Sequence, residues 1–277
     1  MQHIPKKKLS YYDFQATTLY ACRKDQRFSY CAYIPKNYKG NDTKIYNLVV
    51  LIHGTERASQ GYRDSFIDFA EETDSIILAP LFPAGIMEEG ELNSYKFIKY
   101  HDIRYDHILL SMVDEINEKY RVYANKFLLH GFSGGGHFVH RFLYLHPDRL
   151  SGVSIGAPGM ITYLDQTRPW HVGTKNFEEV FGKRLDLQKI KKVPVHMVVG
   201  SEDTETWEIN IKDGPFWIDG IDRYGATRID RLKGLKENYA EEGIEVSFDL
   251  VPGAAHEGFK LIDAVKTFFK ERIVIPQ

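Results

Sequence analysis

Short, almost continuous runs of apolar residues constrain the fold of this chain more than any other feature. The runs that end in or beside glycine or proline cover residues 47–54, 75–80, 126–131, 150–156, 193–200 and 245–251. Runs of this length are typical of strands that are buried on both faces of a largely parallel sheet. They therefore predict a central sheet covered by other elements.

Helical patterns lie between several of these runs. Apolar residues recur at the spacing of one helix face over 109–120, 138–145 and 261–269. Strands that alternate with amphipathic helices indicate an α/β fold, with helices on both faces of a mostly parallel sheet.

The start of the chain has a different pattern. Residues 15–23 and 28–34 resemble two strands joined by the polar turn 24–27, which predicts an antiparallel hairpin. Cys22 and Cys31 are the only cysteines and could face each other across it. Two cysteines are too few for a disulfide framework, so we expect reduced thiols and a cytoplasmic protein.

Composition narrows the class of protein. The chain has 277 residues, of which 43% are hydrophobic, and no repeat, low-complexity tract or long linker divides it. We therefore expect a single domain over 1–277. The net charge of -2 argues against nucleic acid as a partner, and the basic run Lys6–Lys8 is interpreted as a solvated tail. Without an 18-residue apolar run or an apolar leader, we expect neither a membrane span nor a secretory signal.

One turn carries a serine among four glycines. In the stretch LHGFSGGGH (129–137), Ser133 lies between the apolar run 126–131 and the helical pattern 138–145. Such a serine stands at the C-terminal edge of the sheet, where the N–H groups of the following helix point. The G-x-S-x-G pattern in this strand–turn–helix context predicts a nucleophile elbow.

The same pattern also occurs where it predicts no nucleophile. Gly152–Gly156 matches G-x-S-x-G as well, but its serine, Ser154, lies inside a strand-like run. Ala157-Pro158-Gly159 follows and cannot open a helix in that register. Ser154 is therefore predicted to be a residue of the sheet.

A serine nucleophile needs a base, and the position in the chain favours His256. It is the one histidine after the run 193–200, and it lies between the last predicted strand and the last predicted helix. The histidines closer to Ser133 or within strands are interpreted as packing, surface or buried, satisfied residues: His130, His137, His140 and His196.

A third group must orient the base, and Asp203 is the favoured acid. It follows the run 193–200 by three residues, at the same edge of the sheet as His256. Its short side chain holds one geometry at a low entropy cost. The sequence does not exclude the neighbours Glu202 and Glu205.

At these residues the chain resembles the α/β-hydrolase superfamily, and within it the serine esterases. The segments LIHGT (51–55), HGFSGG (130–135), GSED (200–203) and GAAH (253–256) occur in the family order. The resemblance covers nearly the whole chain and implies an α/β-hydrolase fold.

The resemblance also implies the chemistry. It assigns Ser133, Asp203 and His256 to a catalytic triad, and the backbone N–H groups of Gly134 and Thr55 to an oxyanion hole. The chain reads His-Gly-Thr-Glu at Thr55, where many lipases have a run of glycines, which makes Thr55 the weaker assignment. No cofactor or metal is implied, and the spacings of zinc, Walker and dinucleotide motifs are absent.

Two stretches without a role in the sheet, 157–192 and 204–224, leave its C-terminal edge and could roof the site. They contain the aromatic residues Trp170, Trp207, Phe216 and Trp217. Trp170, Phe216 and Trp217 are predicted to line an apolar substrate site, although packing of the stretches onto the body explains each of them equally well.

The sequence thus predicts a serine hydrolase that cleaves a small-molecule carboxylic ester or lactone. A serine peptidase or amidase uses the same triad and remains an alternative. A catalytically silent binding protein of the same fold is a third, but the intact set of Ser133, Asp203 and His256 argues against it. The oligomeric state is left open.

Overall fold

The computed structural model describes residues 9–273, which excludes the basic run Lys6–Lys8. Within this range the strands are β1 (Gln15–Ala16), β2 (Tyr20–Ala21), β3 (Ser29–Ile34), β4 (Asn47–Ile52), β5 (Ser75–Leu81), β6 (Lys99–Tyr100), β7 (Ile103–Arg104), β8 (Phe127–Phe132), β9 (Leu150–Gly156), β10 (Val195–Gly200) and β11 (Val246–Val251). All except β6 and β7, which pair with each other, form one nine-stranded sheet.

The order of strands in this sheet is β1-β3-β5-β4-β8-β9-β10-β11, with β2 also paired to β3. The six strands from β5 to β11 in this order are mutually parallel, while β3 is antiparallel to β1, β2 and β5. The predicted fold class, a mostly parallel sheet with an N-terminal antiparallel hairpin, is confirmed.

Two details of the strand predictions differ from the structure. The strand predicted over 15–23 is divided into β1 and β2. Three residues separate Ala16 from Tyr20, whereas only two separate their partners Tyr33 and Tyr30 in β3, so the extra residue interrupts the pairing. The run 245–251 was expected to be buried on both faces. Its strand β11 instead pairs only with β10 within the described residues, and alternate side chains face solvent.

The helices are α1 (Ser59–Ser65), α2 (Ile67–Thr73), α3 (Tyr105–Lys119), α4 (Gly134–Leu145), α5 (Phe177–Phe181), α6 (Leu187–Ile190), α7 (Arg228–Glu241) and α8 (Ile262–Lys270). Three of them, α3, α4 and α8, match the predicted helical patterns. Helix α7 was not predicted, because it is mostly polar; a capping box between Thr227 and Asp230 marks its start.

Helices α4 and α8 cover opposite faces of the sheet. Gly131 of β8 faces the first turn of α4 so closely that a Cβ atom would collide with Gly135. The preceding residue, His130, hydrogen-bonds to Ser154 on the other face, where Phe268 of α8 stacks on His196. Successive residues of a strand point to opposite faces, so the two helices sandwich the sheet.

Two further expectations concern the whole chain. Cys22 and Cys31 are both buried free thiols, with no disulfide between them. Across residues 9–273, every helix is too short or too polar to traverse a lipid bilayer.

Candidate active site

Ser133 stands on a sharp turn between β8 and α4. Its backbone has φ 54° and ψ -114°, a conformation that side-chain-bearing residues seldom adopt. The turn is held by hydrogen bonds from the Ser133 N–H to the carbonyl of Gly156 at 2.8 Å and from the His137 N–H to the Ser133 carbonyl at 3.0 Å. Such strain persists only where the surroundings enforce it, and it projects the hydroxyl from the C-terminal end of β8.

The glycines around Ser133 are required because backbone segments meet there. A Cβ atom on Gly131 would collide with Gly135, and one on Gly135 would collide with the carbonyl of Ile52 at the end of β4. A Cβ atom on Gly136 would collide with the carbonyl of Gly156 at the end of β9. The glycines therefore let α4 begin directly above the sheet.

Asp203 and His256 are brought together by two neighbouring loops. The His256 Nδ1–H donates a hydrogen bond of 2.6 Å to Asp203 Oδ2; the carboxylate is fully buried and the imidazole is 21% exposed. The N–H of Glu202 donates to the carbonyl of Ala254 at 2.9 Å, which ties the two loops together. Gly200 lies directly against the His256 loop, because a Cβ atom there would collide with the carbonyls of Ala254 and Ala255.

Arg228, at the start of α7, is a second partner of Asp203 that the sequence analysis did not identify. Its Nη1 lies 3.4 Å from Asp203 Oδ1, and its Nη2 donates to Glu208 Oε2 at 2.6 Å. A buried carboxylate needs charged or hydrogen-bonding partners. His256 contacts Oδ2 of Asp203, and Arg228 contacts the other oxygen, Oδ1. The alternative acids Glu202 and Glu205 are exposed.

His256 lies next to the turn that carries Ser133. Its ring is 4.6 Å, centroid to centroid, from that of Phe132, the residue before the serine. Within residues 9–273 no hydrogen bond joins Ser133 to His256, so the two predicted site residues are neighbours rather than bonded partners. Catalytic hydrogen bonds are often long until a substrate is bound.

The backbone N–H groups of Thr55 and Gly134 have no partner within residues 9–273. A Cβ atom on Gly54 would lie 3.6 Å from Ser133 Cβ, so the loop after β4 is in contact with the elbow. Neither Thr55 N–H nor Gly134 N–H donates a hydrogen bond to another described residue. Both N–H groups are therefore free to donate to a further acceptor.

His53 fixes the shape of the loop that carries Thr55. Its Nδ1–H donates to the Gly54 carbonyl at 2.7 Å, and its Nε2 accepts the Phe82 N–H at 3.0 Å. Complete burial lowers the pKa of His53 to about 4, so the ring is neutral. A neutral ring is what the pairing requires, because Nε2 must accept.

With this geometry, comparison with solved structures identifies the architecture. A poly(aspartic acid) hydrolase from Sphingomonas superimposes with a TM-score of 0.70 at 21% identity, over 92% of this chain and 98% of that one. A poly(3-hydroxybutyrate) depolymerase from Bordetella parapertussis also gives 0.70, at 22% identity over 90% and 85% of the two chains. This is the α/β-hydrolase fold.

A further solved structure with this fold is an S-formylglutathione hydrolase from Agrobacterium tumefaciens. It superimposes with a TM-score of 0.64 at 14% identity, over 99% of this chain and 100% of that one. No protein-family profile matches the chain. No curated protein sequence matches it either.

In this α/β-hydrolase fold Ser154, the serine of the second G-x-S-x-G segment, is buried within the sheet. Ser154 Oγ lies 2.9 Å from His196 Nδ1, and His196 Nε2 lies 3.1 Å from Asp249 Oδ2, so the three residues form a Ser–His–Asp chain. Ser154 is fully buried within β9, where no substrate can reach it. The position agrees with its interpretation as a residue of the sheet.

His137 and His140 of α4 bind the stretch 157–192 to the body of the protein. His137 Nε2 accepts the N–H groups of Gly159 and Met160 at 2.7 and 2.9 Å. His140 Nε2 accepts the Thr162 N–H at 3.1 Å. The start of this stretch is therefore fixed to the helix behind Ser133.

The predicted substrate-binding aromatic residues lie in different surroundings. Phe216 stacks on Phe97 with ring centroids 4.7 Å apart. Trp170 packs on Phe181 of α5 at 4.8 Å, and Trp217 is half-buried with its Nε1–H directed at Asp219. Phe216 is connected to α4 through Phe97, which belongs to a short 3-10 helix, Ser94–Phe97, that packs on α4. Trp170 is connected to α4 through Arg141, whose guanidinium carbon lies 5.7 Å from the Trp170 ring centroid.

One cluster has the composition of a metal site. Asp106, His107 and His146 present ligand atoms within 4.8 Å of one another. The Asp106 carboxylate, however, already accepts two hydrogen bonds from Arg104 and one from His146 at 2.7 Å. Burial raises the pKa of Asp106, but these bonds outweigh it and leave the pKa at about 2. An ion-pair network accounts for the cluster.

The buried histidines predict a strong acid sensitivity of the fold. Burial lowers the pKa to about 4 at His53, to about 3 at His130 and His171, and well below 6.5 at His137 and His140. Below about pH 6.5 these histidines become protonated in the unfolded chain but stay neutral in the folded protein. The free energy of unfolding therefore decreases as the pH falls. Each histidine contributes roughly 1 kcal/mol per pH unit below about pH 6.5, so we expect urea melts to show a loss of roughly 7–8 kcal/mol between pH 7 and pH 5 from the five histidines together.

The matched variants for this measurement are His140→Gln and His101→Gln. His101 is exposed, whereas His140 is fully buried. We expect the slope of unfolding free energy against pH to decrease by roughly 1 kcal/mol per unit in His140→Gln and to stay unchanged in His101→Gln. Equal stability of the unmodified protein at pH 7 and pH 5 would contradict the assignment of neutral buried rings.

Proposed function

We propose that the protein is a serine hydrolase that cleaves a carboxylic ester or lactone, with Ser133 as nucleophile, His256 as base and Asp203 as the orienting acid. The observation that carries the proposal is the 2.6 Å hydrogen bond between His256 and buried Asp203, next to a serine held at a positive φ. A serine hydroxyl becomes a useful nucleophile only with such a base and orienting group.

The geometry supports acyl transfer in two steps. His256 Nε2 takes the Ser133 proton as Oγ attacks the carbonyl carbon, and it then protonates the leaving alcohol. Asp203 holds the proton on Nδ1 and stabilises the imidazolium. The unpartnered N–H groups of Gly134 and Thr55 receive the negative oxygen, each worth roughly 3–4 kcal/mol where such donors have been measured. Water then attacks the acyl-enzyme by the same route.

The fold neighbours support this reaction class by analogy alone. They are a poly(aspartic acid) hydrolase, a poly(3-hydroxybutyrate) depolymerase and an S-formylglutathione hydrolase. One fold thus serves several substrates, and specificity must be argued from the residues around each site.

A panel of p-nitrophenyl esters of increasing acyl length, run beside peptide and amide substrates, tests the proposal. We expect turnover of at least some esters, and labelling by a fluorophosphonate probe that Ser133→Ala abolishes. Faster turnover of a peptide or amide than of every ester would favour a peptidase or amidase. Neither turnover nor labelling would favour a catalytically silent binding protein.

A further inference from the structure

Lys96, on the 3-10 helix Ser94–Phe97, is a buried cation that no carboxylate of the described residues contacts. Its residue is 4% exposed, and its Nζ donates to Asn93 Oδ1 at 2.7 Å. Within residues 9–273 it forms no ion pair with any carboxylate. Burying an unpaired charge is costly, and folded proteins rarely retain one without a function.

This lysine lies against the proposed oxyanion hole. A Cβ atom on Gly134 would be 2.8 Å from Lys96 Cε and would also collide with the Tyr95 hydroxyl. Gly134 is the residue directly after Ser133, and its N–H is unpartnered. The stem of Lys96 therefore packs directly against the residue that follows Ser133.

Other cations near Lys96 also lack carboxylate partners. The Arg57 guanidinium donates to the carbonyls of Thr55, Phe82 and Leu92, and its carbon lies 5.2 Å from the Tyr95 ring centroid. Arg141 is fully buried and donates only to neutral oxygens, among them the Lys96 carbonyl. Their charges add to that of Lys96.

Glu91 and Glu208, whose charges act on Lys96 from a distance, are already hydrogen-bonded elsewhere. Glu91 accepts the N–H groups of Asn93 and Ser94, and Glu208 is paired with Arg228. Burial lowers the pKa of Lys96 to about 8, which leaves the amine protonated at pH 7. A cluster of buried and half-buried cations of this kind attracts an anion.

We propose that the ester substrate carries a carboxylate group on its acyl side, which Lys96 binds next to Ser133. This inference rests on the proposed ester hydrolysis and adds the substrate class: monoesters of dicarboxylic acids or related acyl groups with a free acid. A charge-assisted hydrogen bond in a desolvated site discriminates strongly against neutral analogues.

A pair of substrates that differ in one charge tests this. Mono-p-nitrophenyl adipate carries the free acid, and p-nitrophenyl methyl adipate is its neutral methyl ester. The corresponding succinate and glutarate pairs vary the distance between the free acid and the scissile ester. We measure the ratio of kcat/KM, acid over methyl ester, after correction for uncatalysed hydrolysis. We expect the ratio to exceed one at the best length and to fall about 10- to 100-fold in Lys96→Met.

Lys99→Met is the matched control. Lys99 lies three residues further along and is exposed, with its Nζ directed at the Val180 carbonyl. We expect it to leave the ratio unchanged. If Lys96→Met slows both members of a pair equally, the amine acts on the oxyanion or on the fold rather than on a substrate carboxylate, and the inference is wrong.

A binding measurement separates this inference from the proposed function and needs no Lys96 variant. We expect calorimetry on Ser133→Ala to show monomethyl adipate binding at least tenfold more tightly than dimethyl adipate. Equal or weaker binding of the anion would overturn the inference. If the unmodified protein hydrolyses neither ester, the proposed hydrolysis fails, while the calorimetry still decides whether the pocket binds a carboxylate.

Discussion

Replacing Ser133 by alanine is expected to lower kcat for ester hydrolysis by a factor on the order of 10⁶. The substitution removes the oxygen that forms the acyl-enzyme, and the buried Ser154 cannot replace it. The measurement is kcat/KM on the best ester of the panel, with folding checked by a thermal melt. Retention of more than about 1% of the activity would show that Ser133 is not the nucleophile.

Ser154→Ala is the matched control, because it removes the serine of the other G-x-S-x-G segment. Its hydroxyl contacts His130 and His196 inside the sheet, so we expect a loss of about 1–3 kcal/mol in stability. Activity per folded molecule should remain close to that of the unmodified protein when assayed below both melting temperatures. Equal losses from the two substitutions would refute the assignment of the elbow.

The sequence predicts the central strands well because their signal is local. A strand such as β9, at Leu150–Gly156, is apolar along its whole length and coincides with its predicted run. The turn at Ser133 could also be predicted from the sequence, because glycines occupy the neighbouring positions where backbone segments come into contact. Asp203 could be favoured from its place after β10, a position set by the strand that precedes it.

What the sequence did not predict depends on contacts between distant segments. Arg228 comes 25 residues after Asp203 and belongs to a mostly polar helix, so no local pattern connects the two residues. Lys96 resembles any other lysine until folding places it against Gly134. The exposure of β11 follows from its place at the edge of the sheet, which the order of runs along the chain does not determine.

Asp203→Asn is expected to lower kcat by a factor on the order of 10⁴. The amide keeps the shape of the carboxylate, but it loses the charge that stabilises the imidazolium and can present a donor to His256. Arg228 retains Glu208 as a partner at 2.6 Å, so we expect the variant to fold. The measurement is kcat/KM on one good ester, together with a thermal melt.

Glu202→Gln and Glu205→Gln are the controls, since both glutamates lie within two residues of Asp203 and are exposed. Glu205 accepts only the indole N–H of Trp207, which is itself 70% exposed. Exposed acids contribute little to a buried site, so we expect each variant to retain activity within about tenfold. If Glu202→Gln severely lowers kcat/KM while Asp203→Asn remains active, the residue that orients His256 is Glu202 rather than Asp203. Full activity in all three variants would mean that His256 is oriented by another group, and that its contact with Asp203 serves the fold alone.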